Sequence, residues 1–257
     1  MNRVAIDRVV QEFAARAPRA GVFLDVDGTL APIVARPELA RILPEIGPTL
    51  AKIAERLDVV AVISGRPSEQ VRDLVDVRGV VIVGTHGLED EQPMAAEVLN
   101  ESEAAAAAVG AWVEPKGAAA AVHFRALEDP EAAEAASAGP LVAIAAAHDL
   151  EIVPGKRILE LTPGGRPRKG GALERIARER GLEAVLFAGD DVGDLDAFAA
   201  LERLRSQGLW TCGVVARGDD TPPEVEAAAD VVVDGPRGMA ALLASIANEL
   251  DRGASAP

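Results

Sequence analysis

Several residue types are scarce in this chain of 257 residues. It contains one cysteine, three histidines and no tyrosine, and aromatic residues make up 3% of it. Cys212 has no partner for an internal disulfide, which fits a reducing compartment, and three scattered histidines argue against a Cys/His zinc site. Because aromatic residues are so few, the core of a chain this long must consist mainly of Ala, Val, Leu and Ile.

Positive charge and long apolar runs are also scarce. The chain has 26 Lys and Arg against 41 Asp and Glu, a net charge of −15, which argues against a general binder of nucleic acid or anionic membranes. No stretch approaches the roughly 18 apolar residues of a membrane span, and the N-terminal segment lacks the apolar centre of a secretory signal. We therefore expect a cytoplasmic protein with neither nucleic-acid nor membrane partners. The net charge is compatible with an anionic small substrate, because a binding site is local. The sequence leaves the oligomeric state open, and a monomer is compatible with it.

Short, continuous apolar runs rich in β-branched residues recur along the chain. They lie at 22–24, 59–63, 80–83, 184–188, 213–215 and 231–233. Such runs are typical of strands that are buried on both faces of a parallel sheet. Helical patterns lie between many of them, as at Leu173, Ile176 and Ala177, with Gly181 as a C-cap. The alternation predicts a doubly wound, Rossmann-like α/β fold, in which ligands bind beyond the carboxyl ends of the strands.

The middle of the chain departs from this alternation. Strand-like segments at 112–114, 119–125, 151–153 and 157–161 surround a helical stretch at 130–147, and residues 115–117 and 154–155 separate the strands. This pattern predicts a small α+β unit inserted into the larger fold. The predicted division is 1–103 and 165–257 for the α/β core and 104–164 for the insert.

Two carboxylates follow the first apolar run in the sequence DVDGT at 25–29. Asp25 and Asp27 are two residues apart, so on an extended chain they point to the same side and converge on one small volume. Gly28 permits a sharp exit turn. The alternative is an Asp-Gly turn after a core strand, with no chemical role.

One further strand end and one helix start carry groups suited to binding a phosphate. Ser64, Gly65 and Arg66 follow the second run, where a hydroxyl and loop N–H groups can hold phosphate oxygens, although Ser64 or Ser68 could simply cap a helix. Lys169 precedes another helix and could neutralise phosphate charge, or be a solvated surface lysine.

Four aspartates lie within residues 190–196, after the fourth run. So many carboxylates repel one another unless a cation or solvent relieves them, and a hard cation with oxygen ligands, most naturally Mg²⁺, is the simplest explanation. An acidic helix N-terminus is the alternative, and it accounts for Asp194 or Asp196. Whether Asp191 or Asp194 adds to a metal site stays open.

These motifs, in this order, resemble the haloacid-dehalogenase-like (HAD) phosphohydrolase superfamily. The resemblance implies that Asp25 is the nucleophile and that Asp27 is the general acid/base. Ser64 and Lys169 would bind and neutralise the phosphoryl group. Asp25, Asp190 and the main-chain carbonyl of Asp27 would hold Mg²⁺.

A closer resemblance, from about residue 20 to 235, is to the trehalose-phosphatase family. It rests on SGR at 64–66, GTHGLE at 84–89, EPKG at 114–117, HFR at 123–125, GK at 155–156, LEL at 159–161 and KGGAL at 169–173. It implies that the insert is a cap domain in which Glu114, Lys116 and Glu160 recognise sugar hydroxyls. Gly65, Arg66, His86 and Arg125 would be further substrate-binding residues. The sequence departs from the family pattern at Gly193 and Leu195, which replace the usual Thr and Glu.

The resemblance implies a Mg²⁺-dependent phosphatase that converts trehalose 6-phosphate to trehalose and phosphate through an aspartyl-phosphate. The nearest alternative is a phosphatase of another sugar phosphate, of the sucrose phosphate or mannosyl phosphate type. A phosphomutase and an inactive sugar-phosphate sensor are more distant alternatives. Without the resemblance, Glu114 and Lys116 could form an exposed ion pair that contributes little to stability. Glu160 could be the outward-facing residue of a strand, and His86 could be a hydrogen-bonded loop histidine.

Overall fold

The structure, a computed structural model, describes residues 3–87, 92–164 and 168–254. None of the helices in those ranges is long and apolar enough to cross a membrane.

The larger of two sheets has six parallel strands, and we call it the core sheet. It consists of β1 (Ala20–Leu24), β2 (Val59–Ile63), β3 (Val80–Val83), β8 (Ala184–Gly189), β9 (Trp210–Arg217) and β10 (Val231–Asp234). The strand order is β10-β9-β8-β1-β2-β3. Each predicted apolar run lies in one of these strands, and β1 and β2 are buried along their whole length because helices cover both faces of the sheet.

Helices flank the core sheet on both sides. One face packs against α1 (Arg3–Ala14), α2 (Ile46–Ala54), α3 (Ser68–Leu74) and α9 (Gly235–Ala254), and the other against α6 (Lys169–Arg180), α7 (Leu195–Ser206) and α8 (Pro223–Ala227). Val22 and Leu24 face the first layer and Phe23 the second, as the period of a strand requires. The α/β fold with a parallel sheet and a separate smaller unit is thus confirmed.

The smaller sheet is antiparallel, and we call it the cap sheet. It consists of β4 (Trp112–Lys116), β5 (Ala119–His123), β6 (Leu150–Gly155) and β7 (Ile158–Pro163) in the order β4-β5-β7-β6. Helices α4 (Ala96–Ala107) and α5 (Pro130–Ala147) cover one of its faces and enclose a separate apolar cluster around Phe124 and Leu141. The division at 103/104 and 164/165 stays a prediction, and its first boundary falls inside α4.

Both predicted strand breaks in the cap differ from the structure. Residues 154–155 were expected to separate two strands, but β6 continues through Pro154 and Gly155. Residues 115–117 were expected to separate two strands, but β4 continues through Pro115 and Lys116. β4 is an edge strand, where a proline without an N–H is tolerated. The chain reverses at Gly117 instead, which has a φ of +68°.

Candidate active site

The carboxyl ends of β1 and β8 place Asp25 and Asp190 side by side. The two strands are parallel neighbours in which Leu24 is paired with Ala188, and the backbone N–H of Asp25 donates to the carbonyl of Ala188 at 2.9 Å. Carboxylate oxygens of Asp25, Asp190 and Asp194 lie within 4.8 Å of one another, and all three residues are buried. Three converging carboxylates form an oxygen donor set suited to a hard divalent cation.

Asp194 organises this cluster, whereas the sequence alone leaves open whether it serves a helix start or the metal site. One of its carboxylate oxygens accepts the backbone N–H groups of Asp190 and Asp191 at 2.8 and 3.0 Å. The other lies 2.6 Å from Nζ of Lys169, which also lies 2.8 Å from Asp25. Lys169 is the first residue of α6, so one buried ammonium bridges the nucleophile candidate and the loop after β8.

Gly28 allows this close approach of the two strand ends. Its φ is +84°, and a Cβ at this position would lie 1.9 Å from Oδ2 of Asp190. The next residue, Thr29, donates its hydroxyl to Oδ1 of Asp190 at 3.3 Å. The DVDGT motif is therefore fitted around Asp190, which a simple Asp-Gly turn would not require.

The pKa values of this cluster reflect excess buried negative charge. Burial raises the pKa of Asp25 to about 7, although the ammonium of Lys169 opposes the shift. Burial, followed by the charges of Asp25 and Asp194, raises the pKa of Asp190 well above its ordinary value. Burial also raises the pKa of Asp191. A bound divalent cation would relieve this repulsion, so the residues fit a metal ion.

Asp27 points to a different partner. Its carboxylate forms a two-point ion pair with Arg66, in which Nε is 2.6 Å from Oδ2 and a terminal nitrogen is 2.8 Å from Oδ1. A further nitrogen of Arg66 donates to the carbonyl of Pro37 at 3.0 Å. Ser64 is buried, and its Oγ accepts the N–H of Arg66 at 3.2 Å. Arg66, predicted to bind substrate, thus lines the site and also fixes the orientation of Asp27.

The open face of the cap sheet carries the predicted sugar-binding residues. The strand register sets Glu114, Ala121 and Glu160 in one row across β4, β5 and β7. The small side chain of Ala121 leaves space above it, and Lys116 extends its Nζ to 3.2 Å from Glu160 and 3.9 Å from Glu114. The ammonium therefore lies between two carboxylates, a polar arrangement suited to hydroxyl groups.

His123 is a site residue that the sequence reasoning did not select. Its Nε2 lies 2.9 Å from Glu114, and its ring stacks on Trp112 with the centroids 4.1 Å apart. Burial alone would raise the pKa of Glu114, but the contacts with His123 and Lys116 lower it. The signal was present, because His123 belongs to the HFR motif, yet its pairing with Glu114 depends on the strand register.

A cavity of ≈ 120 Å³ separates the cap sheet from the strand ends of the core sheet. It is lined by eleven predicted site residues, namely Asp25, Asp27, Ser64, Gly65, Arg66, Glu114, Lys116, Arg125, Glu160, Lys169 and Asp190. The structure therefore brings the predicted phosphate-binding and sugar-binding groups to one place. The side chain of His86 lies outside what the structure describes, although its backbone belongs to the 3₁₀ turn Thr85–Gly87.

The trehalose-phosphatase family model matches residues 23–220, a range that includes the whole cap sheet and most of the core sheet but not β10. The chain belongs to the trehalose-phosphatase family. It is 32% identical over 262 residues to a trehalose-phosphate phosphatase of Mycobacterium avium, covering 93% of this chain and 64% of the relative. It is 36% identical over 206 residues to an uncharacterized glycosyl hydrolase of Mycobacterium tuberculosis, covering 71% of this chain and 15% of the relative. The chain thus spans less than two thirds of these relatives.

Solved structures share the fold. The C-terminal domain of a Candida albicans trehalose-6-phosphate phosphatase superposes with a TM-score of 0.79 at 19% identity, covering 94% of this chain and 96% of that one. A HAD-superfamily phosphatase from Bacteroides thetaiotaomicron gives a TM-score of 0.56 at 16% identity, covering 87% and 92%. The predicted HAD-like fold is confirmed.

Proposed function

We propose that the protein is a Mg²⁺-dependent phosphatase that hydrolyses trehalose 6-phosphate in the cytoplasm. The observation that carries the proposal is that Asp25 and the cap residues Glu114, Lys116 and Glu160 line one cavity. When the phosphoryl group of a sugar phosphate lies at Asp25, these charged cap residues are within reach of the attached sugar. Family membership supports a sugar phosphate as the substrate class.

The first step is attack by a carboxylate oxygen of Asp25 on phosphorus. A bond forms between Asp25 and phosphorus while the bond from phosphorus to the sugar oxygen breaks. Asp27 donates a proton to that oxygen, so the sugar leaves as a neutral alcohol.

The second step returns Asp25 to its initial state. Asp27 removes a proton from a water molecule, which attacks phosphorus, and the bond to Asp25 breaks to release inorganic phosphate. Lys169 and Ser64 hold the phosphoryl oxygens, and Lys169 already contacts Asp25 at 2.8 Å. Asp25, Asp190 and the carbonyl of Asp27 would hold Mg²⁺, with Asp194 beside them. The ion would supply positive charge for the transferring phosphoryl group.

Sugar recognition is assigned to the cap sheet. Each buried hydroxyl of trehalose needs a partner, and Glu114, Lys116 and Glu160 offer both acceptors and a donor. Pockets for ligands of this size are about 300–1,000 Å³, whereas the cavity is ≈ 120 Å³. Admission of a disaccharide therefore requires that the cap sheet moves away from the core sheet and closes again.

A substrate panel tests the proposal. Release of phosphate is measured from trehalose 6-phosphate, sucrose 6-phosphate, a mannosyl phosphate and glucose 6-phosphate, with Mg²⁺ present. We expect the highest kcat/KM for trehalose 6-phosphate. A higher value for another sugar phosphate would reassign the substrate. Isomerised sugar phosphate in place of free phosphate would indicate a phosphomutase, and binding without turnover a sensor.

A further inference from the structure

Lys156 is a buried lysine of the cap that reaches the proposed metal site. It lies in the turn between β6 and β7, and its ammonium forms an ion pair with Oδ2 of Asp190. The two side chains are 8% and 1% exposed. The backbone N–H of Lys156 also donates to the carboxylate of Asp191 at 2.9 Å. Both aspartates that follow β8 therefore hold this turn.

Arg125 fastens the same turn to the core at another point. One of its nitrogens donates to the carbonyl of Lys156 at 2.7 Å, and another donates to the carbonyl of Val34 at 2.9 Å. Val34 belongs to the segment between β1 and α2. We call the contacts of Arg125 and Lys156 with Val34, Asp190 and Asp191 the clasp. The clasp joins the cap sheet to the loops that carry the reacting groups.

The charges explain why Lys156 is drawn to this position. A buried carboxylate needs a cation or several donors, and Thr29 donates only to the other oxygen of Asp190. Lys169 is occupied by Asp25 and Asp194. Among the described residues, Lys156 is the cation in contact with Asp190. A divalent cation on the same carboxylate would bring two positive centres close together, which strongly repel in a buried site.

We propose that Lys156 is an internal competitor of the divalent cation for Asp190, and that metal binding opens the clasp. The proposal rests on the metal site of the proposed function. It makes Lys156 a positioning residue that keeps the cap sheet against the core sheet while no metal is bound. By thermodynamic linkage, whatever favours the closed clasp weakens metal binding, and the metal in turn favours release of Lys156.

Metal affinity in the absence of substrate tests the competition directly. Binding of Mg²⁺ and of Mn²⁺ to the full chain is measured by isothermal titration calorimetry. We expect Lys156→Met and Lys156→Gln to bind either ion about 5- to 150-fold more tightly than the wild type. Lys156→Arg, which retains a cation, should stay near the wild-type affinity. Arg157→Met is the matched control, since Arg157 is the next residue of the turn but pairs with Glu131.

Hydrogen exchange supplies a second readout that does not depend on activity. Mg²⁺ should accelerate exchange of the amide of Lys156 in the wild type, and have no such effect in Lys156→Gln once thermal unfolding shows that the variant is folded. Equal or weaker metal binding by both neutral variants would overturn the proposal while leaving the metal site intact. Absence of Mg²⁺ and Mn²⁺ binding in the wild type would overturn the proposal and the metal site together.

Discussion

Arg66 forms a bidentate ion pair with Asp27, with nitrogen–oxygen distances of 2.6 and 2.8 Å. The guanidinium is itself held by the carbonyl of Pro37, and its side chain is only 8% exposed. A planar fork of this kind fixes both the position and the tilt of a carboxylate. The proposed general acid/base is therefore oriented by a residue from the neighbouring strand end.

We expect Arg66→Lys to lower kcat by about 10- to 100-fold, because a lysine cannot hold both oxygens and a small displacement of a reacting group is costly. The loss should be similar for trehalose 6-phosphate and for a small aryl phosphate, since both need Asp27. Arg72→Lys on the exposed side of α3 is the control. A loss confined to trehalose 6-phosphate would show that Arg66 binds the sugar instead.

Gly28→Ala should abolish metal binding and activity. The added Cβ would lie 1.9 Å from Asp190 and would sit on a backbone with a φ of +84°. Gly117→Ala is a matched control, because Gly117 also has a positive φ, of +68°, but no atom within 4 Å of an added Cβ. Both variants should lose roughly 1 kcal/mol of unfolding free energy or more from backbone strain. Calorimetric Mg²⁺ binding separates them, and retained binding in Gly28→Ala would contradict the placement of Asp190.

Glu114→Ala and Glu160→Ala should each lower kcat/KM for trehalose 6-phosphate by about 10- to 150-fold, the value of a hydrogen bond to a charged group. An aryl phosphate can react at Asp25 without the cap sheet, so its hydrolysis should change little. Glu103→Ala, on the exposed side of α4, is the control. Equal losses for both substrates would mean that these residues support the fold or the reacting groups, and not sugar recognition.

The raised pKa of Asp25 predicts that Asp25→Asn increases the free energy of unfolding of the metal-free protein, and that this increase depends on pH. The pKa is about 7 in the folded chain and about 3.9 in an unfolded one. Between those pH values the unfolded chain loses the proton first, so wild-type stability falls as pH rises and stays low above pH 7. Asparagine carries no charge, so the variant should be more stable by up to about 4 kcal/mol at pH 8 and equal near pH 4. Thermal unfolding in chelator measures this, and Asp73→Asn, exposed on α3, is the control. A variant that is less stable than wild type at pH 8 would contradict the pKa of Asp25.

Much of the fold follows from local patterns in the sequence. Helix α5 has the predicted bounds of 130–147, and Gly181 ends α6 with a φ of +60°, as its C-cap position predicted. The strands of the core sheet could be predicted because strands of a parallel sheet that is covered on both faces are continuous runs rich in β-branched residues. The exceptions lie at strand ends, since β9 extends from Trp210 to Arg217 beyond its apolar centre.

The site was predictable where a motif carries its own geometry, and less so where distant segments meet. Asp25 and Asp27 could be paired because two residues along a strand share a face. The contact of Lys156 with Asp190 joins residues that are 34 positions apart and depends on how the two sheets face each other. Asp196 likewise was expected to serve the start of its own helix, yet its carboxylate accepts the N–H of Gly170 in α6 at 2.8 Å.

Phosphate release from trehalose 6-phosphate, with Mg²⁺ and with EDTA, tests the central claim most directly. It is measured for the wild type, Asp25→Asn, Asp27→Asn and Asp190→Ala. We expect turnover only in the wild type with Mg²⁺, full recovery when excess Mg²⁺ follows EDTA, and at most partial rescue of Asp190→Ala. Near-normal turnover by Asp25→Asn, or full wild-type activity in EDTA, would contradict the account.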